Sequence, residues 1–190
     1  GGGPSYGMTA LGGSDVGYLG GGSGGSGASD YGSNFGGGGG GGGSGLGGAI
    51  FVDSNLNFTI QAKSGVSTNF STSNSTVQAG IHGTGGPGAS HGQDGSAEGH
   101  SIFLRTGSSL VLHAPNQSDL LTLGSQVAVT DDTTFGAGGT NVMVKGNGTV
   151  VYNGTSNYQG TVVVNNANLK VNGQIDQASV FVCRNKNMSS

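Results

Sequence analysis

The sequence predicts an all-β fold, a parallel β-helix (β-solenoid) preceded by a glycine-rich low-complexity segment. Between Asn141 and Val182, apolar residues recur in alternating pairs: Val142/Val144, Val150/Tyr152, Val162/Val164, Leu169/Val171 and Val180/Val182. Alternation places both members of a pair on one face of a strand. The pairs form two interleaved series, 142 to 162 to 180 and 150 to 169, with steps of 18 to 20 residues. The chain therefore returns to the same place after every two strands. Short polar links alternate with longer, more variable ones, as in a solenoid whose insertions collect on one side.

The rhythm extends backwards through Ile102/Leu104, Leu110/Leu112, Leu121/Leu123 and Val127/Val129. The first series then reads 102, 121, 142, 162, 180 and the second 110, 127, 150, 169. Links within a turn are RTGSS, GSQ, KGNGT and NNAN; the returns are HAPNQSD, TDDTTFGAGGT, NGTSNYQG and NGQIDQA. Short β-branched strands without a helical period select β over α repeats. An antiparallel sandwich is the rival, because regular short strands with turns also suit it.

Composition narrows the classes. The chain has 190 residues, 44 of them glycine, only 8% charged, with a net charge of −3. Low charge argues against ordinary disorder, which relies on self-repulsion. The basic residues Lys63, Arg105, Lys145, Lys170, Arg184 and Lys186 are scattered, so no patch suits nucleic acid or an anionic membrane. No apolar run reaches the length of a membrane-spanning helix. Cys183 is the only cysteine, which excludes an internal disulfide, and it reads as a small core or turn residue. The chain begins with Gly1, carries no signal peptide and shows no cap after Val182, as expected of a piece of a larger protein.

Residues 1–46 are mostly glycine and serine and read as loop or disorder, since little surface can offset their ordering entropy. Packed polyglycine helices are the rival reading, requiring neighbours for their free backbone groups. A phosphate-cradling loop is excluded by the lack of Gly-Lys-Ser/Thr and of a following helix. At Gly47 the β-helix, residues 47–190, begins: Ile50/Val52 and Phe58/Ile60 repeat the two-strand unit. About five and a half turns follow from that start, interrupted by a Gly/His-rich insertion at about residues 61–101.

The insertion holds the one constellation with metal-ligand chemistry: His82, His91 and His100, nine apart, with Asp94 and Glu98 between them. It lacks the GGxGxD pattern of calcium-binding nonapeptide rolls, and a glycine-rich loop does not preorganise ligands. A solvated surface loop is the reading adopted, with neither metal nor cofactor expected. His113 falls in a return link as a structural or exposed residue.

The acids Asp119, Asp131, Asp132 and Asp176 fall in return links and would stack along one side of the coil. Asp131 and Asp132 are the candidates for a carbohydrate lyase or hydrolase, although adjacent Asp residues in a turn more often bond their own backbone. No Arg or Lys lies in those links to hold an anionic sugar. Asn-X-Ser/Thr triplets start at Asn57, Asn69, Asn74, Asn116, Asn147, Asn153 and Asn187, a number that an Asn-, Ser- and Thr-rich chain produces by chance.

From Gly146 to Gly173 the sequence resembles the autotransporter-associated β-strand repeat, through Gly148, Thr149, Val150, Asn157, Tyr158, Gly160, Thr161, Val162, Leu169, Val171 and Gly173. The second Gly-Thr of that pattern is shortened here, and Lys145 stands where a small residue is usual. The GGAI run at Gly47–Ile50 is similar to a motif of chlamydial polymorphic outer-membrane proteins, without its Phe-x-x-Asn companion. Both resemblances imply a passenger of a bacterial type V secreted surface protein. Such passengers are right-handed parallel β-helices, exported through a C-terminal β-barrel.

The function expected is therefore a rigid stalk or adhesin scaffold, displayed on the cell surface or secreted, whose return links meet a host-cell surface, matrix or glycan. The alternative is a polysaccharide-active β-helix enzyme using the return-link acids. An ice-binding solenoid would need a flat threonine array, which Thr149 and Thr161 do not supply.

Overall fold

The computed structural model describes residues 37–73, 75–132 and 139–183. They contain strands and no helix. The chain divides into two units: one holds Gly1–Gly47 with Thr76–Glu98, the other Gly48–Ser75 with Gly99–Ser190.

In the larger unit the chain winds through three parallel sheets. The first coil is β2 (Ile50–Val52), β3 (Asn57–Gln61) and β4 (Ser67–Phe70), and the second is β6 (Ile102–Leu104), β7 (Ser109–Ala114) and β8 (Leu120–Leu123). The third comprises β9 (Val129–Asp131), β10 (Asn141–Gly146) and β11 (Thr149–Tyr152). The fourth is β12 (Thr155–Asn157), β13 (Thr161–Asn165) and β14 (Asn168–Val171); β15 (Gln174–Asp176) and β16 (Ser179–Cys183) begin a fifth. The sheets run β15-β12-β9-β6-β2, β16-β13-β10-β7-β3 and β14-β11-β8-β4, all parallel. This is a parallel β-helix, and the sandwich rival is excluded.

Each coil thus has three strands rather than two, giving four coils and part of a fifth instead of five and a half turns. Downstream, the expected registers hold: Val142 pairs with Val162, Val162 with Val180, and Val150 with Leu169. Upstream they shift. Leu110, not Leu121, lies under Val142; Leu121 lies under Val150; Ile102 lies under Val129 in the β15-β12-β9-β6-β2 sheet. The reason is chemical. In the later coils, strands of the β15-β12-β9-β6-β2 sheet are short and polar, as in Thr155-Ser156-Asn157 and Gln174-Ile175-Asp176, and carry no alternating apolar pair.

The inward columns form the core. Phe58, Leu110, Val142, Val162 and Val180 stack in one register, and Ile60, Leu112, Val144, Val164 and Val182 in the next. Leu110, Leu121, Leu123 and Val150 have no exposed surface, and burying such a side chain stabilises by about 1.5–3 kcal/mol. Tyr152 and Ser156 are polar exceptions held by hydrogen bonds. Tyr152 Oη donates to Val127 O at 2.9 Å and also meets Ser156 Oγ, which accepts from Val129 N at 2.8 Å. One corner admits only glycine, because a Cβ on Gly154 would lie 1.7 Å from Val127 O and one on Gly173 would lie 1.9 Å from Gly154 O.

The smaller unit contains three extended segments, 37–46, 78–86 and 90–98, bonded with a period of three. Gly39, Gly42 and Gly45 donate to Ser90, Gln93 and Ser96 carbonyls; Gly92 and Gly95 donate to Gly83 and Gly80; Gly80, Gly83 and Gly86 donate to Gly43, Gly40 and Gly37. The first and third segments run parallel, ending in the pairing of β1 (Gly45–Leu46) with β5 (Ala97–Glu98); the second is antiparallel to both. Three residues per turn with all bonds to neighbours is the habit of polyglycine and polyproline II helices. Packed polyglycine helices, the rival reading, therefore describe residues 37–46; the rest of the 1–46 segment lies outside the described residues. The insertion joining this bundle starts at Thr76, because β4 still belongs to the coil. A Gly86-Pro87-Gly88-Ala89 turn, with Gly88 at φ 75° and Ala89 N bonded to Gly86 O at 3.0 Å, links the second and third segments.

Candidate functional site

The return-link acids are placed by the coil registers. Asp131 pairs with Leu104, so it points inward, and Arg105 of the coil below stands beside Asp132. Both carboxylates are only 1% exposed. Asp131 Oδ2 accepts from Thr140 Oγ1 at 3.0 Å and from Gln159 N at 3.2 Å, tying the third coil to the fourth. Arg105 Nε donates to Asp132 Oδ2 at 3.4 Å, and its Nη1 lies 3.6 Å from Asp53. The basic residue missing from the return links thus comes from a within-turn link, RTGSS, because stacking places that link next to the acid. These bonds make Asp131 and Asp132 links between coils, and Oδ1 of each is buried without a hydrogen-bond partner among the described residues.

Asp119 is buried as well. Its carboxylate accepts from Gly65 N at 2.9 Å, Asn116 N at 2.8 Å and Asn116 Nδ2 at 2.9 Å. The Gly65 and Asn116 amides hold its carboxyl below the usual range. Asp176 is bonded by Gln174 Nε2 at 2.7 Å. His113 lies on an outward column, 3.2 Å from Gln61 Oε1. Among the described residues these acids bond turns and neighbouring coils.

The histidine-rich stretch is divided between the units. His82, His91, Asp94 and Glu98 belong to the polyglycine bundle, whereas His100 belongs to the β-helical unit. Within the bundle, His82 Nδ1 lies 2.6 Å from Asp94 Oδ1, which also accepts His82 N at 2.7 Å. The His82 and His91 rings meet edge-on at 5.7 Å. Glu98 sits on β5. Among the described residues no group of three or more His, Cys, Asp or Glu side chains is arranged to hold a metal ion.

Two surface features stand out, and only the first had no counterpart in the sequence reading. The outward column beside the core reads Val111, Met143, Val163 and Phe181, an apolar stripe between Ser109, Asn141, Thr161 and Ser179 on one side and His113, Lys145, Asn165 and Cys183 on the other. The final coil is open: inward Val180 and Val182 are 52% and 64% exposed, against 2% and 4% for Val162 and Val164 one coil earlier. Cys183 is exposed at this edge rather than in the core. Outward alternate positions could have revealed the stripe, but only once the three-strand register was known.

No family model, curated protein or solved structure matches the chain.

Proposed function

We propose that this chain is a surface-display scaffold, a fragment of an autotransporter-type passenger whose β-helix acts as a rigid stalk with an adhesive outer face. The observation that carries the reading is the continuous inward stacking of coil on coil from β2 to β16, with chain-length variation confined to the links. Such a scaffold holds outward side chains at about 4.8 Å per coil, and the stripe of Val111, Met143, Val163 and Phe181 is the natural contact face. The Gly148-to-Gly173 repeat residues support the same class. The partners are then a host-cell or matrix surface or a glycan, and the location is the outside of a bacterial cell, with a β-barrel translocator in the parent protein.

The test is to fuse the chain to an outer-membrane β-barrel translocator. The expected result is a protease-resistant core reached by external antibody, binding to cells or a glycan array, and loss of that binding in Val163→Lys with the fold retained. Cleavage of a polysaccharide that disappears in Asp132→Ala would overturn the scaffold reading in favour of an enzyme.

A further inference from the structure

We propose that His82 and His91 form a two-imidazole site for a divalent first-row transition metal ion, with Asp94 orienting His82 from behind. The backbone already fixes the two histidines. Gly92 N bonds Gly83 O at 3.1 Å and Gly95 N bonds Gly80 O at 2.9 Å, which brackets His82 and Asp94, and His91 stands next to the first of these bonds, with its Nδ1 3.3 Å from Gly85 N. Glycine at every third position removes side chains from the interior, leaving the intervening residues to face outward.

The contacts of the two rings suit metal ligation. Asp94 Oδ1 lies 2.6 Å from His82 Nδ1 and is fixed by His82 N at 2.7 Å. In the neutral tautomer with the ring proton on Nδ1, Asp94 Oδ1 accepts from both N–H groups of His82. Nε2 of His82 is then a free lone pair. A carboxylate behind a histidine in this way is the usual outer shell of a metal ligand. His91 Nδ1 accepts the Gly85 N–H at 3.3 Å, so it also carries a lone pair, and that long bond is the one exchanged for a metal.

The spacing fits. Metal–imidazole bonds of about 2.0–2.1 Å place each ring centroid roughly 3 Å from the ion, so two rings around one ion stand about 5–6 Å apart. The His82 and His91 centroids are 5.7 Å apart with planes at 61°. The His82 side chain is 34% exposed, so an ion can reach it and water completes the coordination. Two imidazoles with open positions suit Zn²⁺, Ni²⁺ and Cu²⁺, and bind more weakly than closed three- or four-ligand sites.

The experiment is titration of the intact chain with Zn²⁺ and with Ni²⁺, read by calorimetry and by NMR of the imidazole ring resonances. One equivalent is expected to bind, shifting His82 and His91 resonances and leaving His100 and His113 unmoved. His82→Ala and His91→Ala should each abolish that binding, Asp94→Asn should weaken it about 10- to 100-fold, and His100→Ala should change nothing. Amide exchange of Gly83 and Gly95 checks that each variant keeps the bundle. The proposal is overturned if the doubly substituted His82→Ala/His91→Ala chain binds as well as the parent. It is equally overturned if Asp94→Asn matches the parent, or if no ring resonance moves.

Discussion

The two units both use extended backbone, all parallel in the coils and mixed in the bundle, but hold it together by opposite means. In the β-helical unit, side chains fill the interior, and Leu110, Leu121, Leu123 and Val150 are wholly buried. In the polyglycine bundle, backbone fills the interior. Gly39, Gly42, Gly92 and Gly95 lie so close to neighbouring carbonyls that a Cβ at any of them would sit 1.9–2.0 Å from an oxygen. Removing the side chain lets three chains approach closely enough for every third amide to bond across. It also removes the apolar burial that stabilises the coils. Each such bond contributes only about 0.5–1.5 kcal/mol net, and glycine loses the most backbone freedom on ordering. The bundle should therefore be the first part to open, and the coil core the last.

The largest effect should come from a single methyl group inside the bundle. Gly42→Ala would place a Cβ 2.0 Å from Gly80 O and 2.5 Å from Gly80 C, both backbone atoms that cannot rotate away. Hydrogen exchange should show the amides of Gly80, Gly83, Gly92 and Gly95 losing protection, while β7 and β10 remain protected. Gly41→Ala, whose Cβ meets Gln93 O at an ordinary 3.5 Å, should leave the bundle intact. If both variants behave alike, the interior is not held by backbone contact and the comparison between the units fails.

Within the coils the contrast is between closed and open lumen. Leu110→Ala removes a fully buried residue and should cost about 2–5 kcal/mol. Val182→Ala, in an inward column but 64% exposed, should cost under about 1 kcal/mol, because little surface is withdrawn from water. Urea unfolding followed by circular dichroism measures both. Equal losses would mean that the final coil is covered in solution.

The smallest effect concerns pH. Tyr158 is 1% exposed, its hydroxyl donates to Thr161 O at 3.2 Å, and burial pushes it up to about 12. Its folded value lies above the unfolded value of about 10. The stabilisation is therefore complete below about pH 10 and is lost as pH rises through about 12. The urea midpoint of Tyr158→Phe should fall less over that interval than that of the parent. An unchanged slope would assign alkaline unfolding to other groups.

How much was legible follows from where the information lies. The apolar pairs at Val142/Val144, Val162/Val164 and Val180/Val182 disclosed strands, period and parallel stacking, since inward columns must be apolar in every coil. The strands that escaped were β4, β12 and β15, because polar runs such as Thr155-Ser156-Asn157 look like a loop; Ser156 sits inward where it bonds Val129 N and Tyr152 Oη. The coil phase at Ile102 and Leu121 shifted for the same reason. His82, His91 and Asp94 were visible as residue types, but their grouping was not. Their sequence intervals match no strand or helix face, and only the antiparallel bonding of 78–86 with 90–98 brings them together.

By itself the sequence determined a repeating, parallel, all-β architecture with short outward links, because alternation and period are local properties that any coil must satisfy. Tertiary structure decided what local pattern does not encode. It set three strands per coil, put Arg105 beside Asp132, and buried the return-link candidates Asp131 and Asp132. It also built an ordered bundle from residues that read as loop. The physical reason is common to these cases: polar residues and glycines carry no hydrophobic period, so their partners are fixed only when distant segments close upon them.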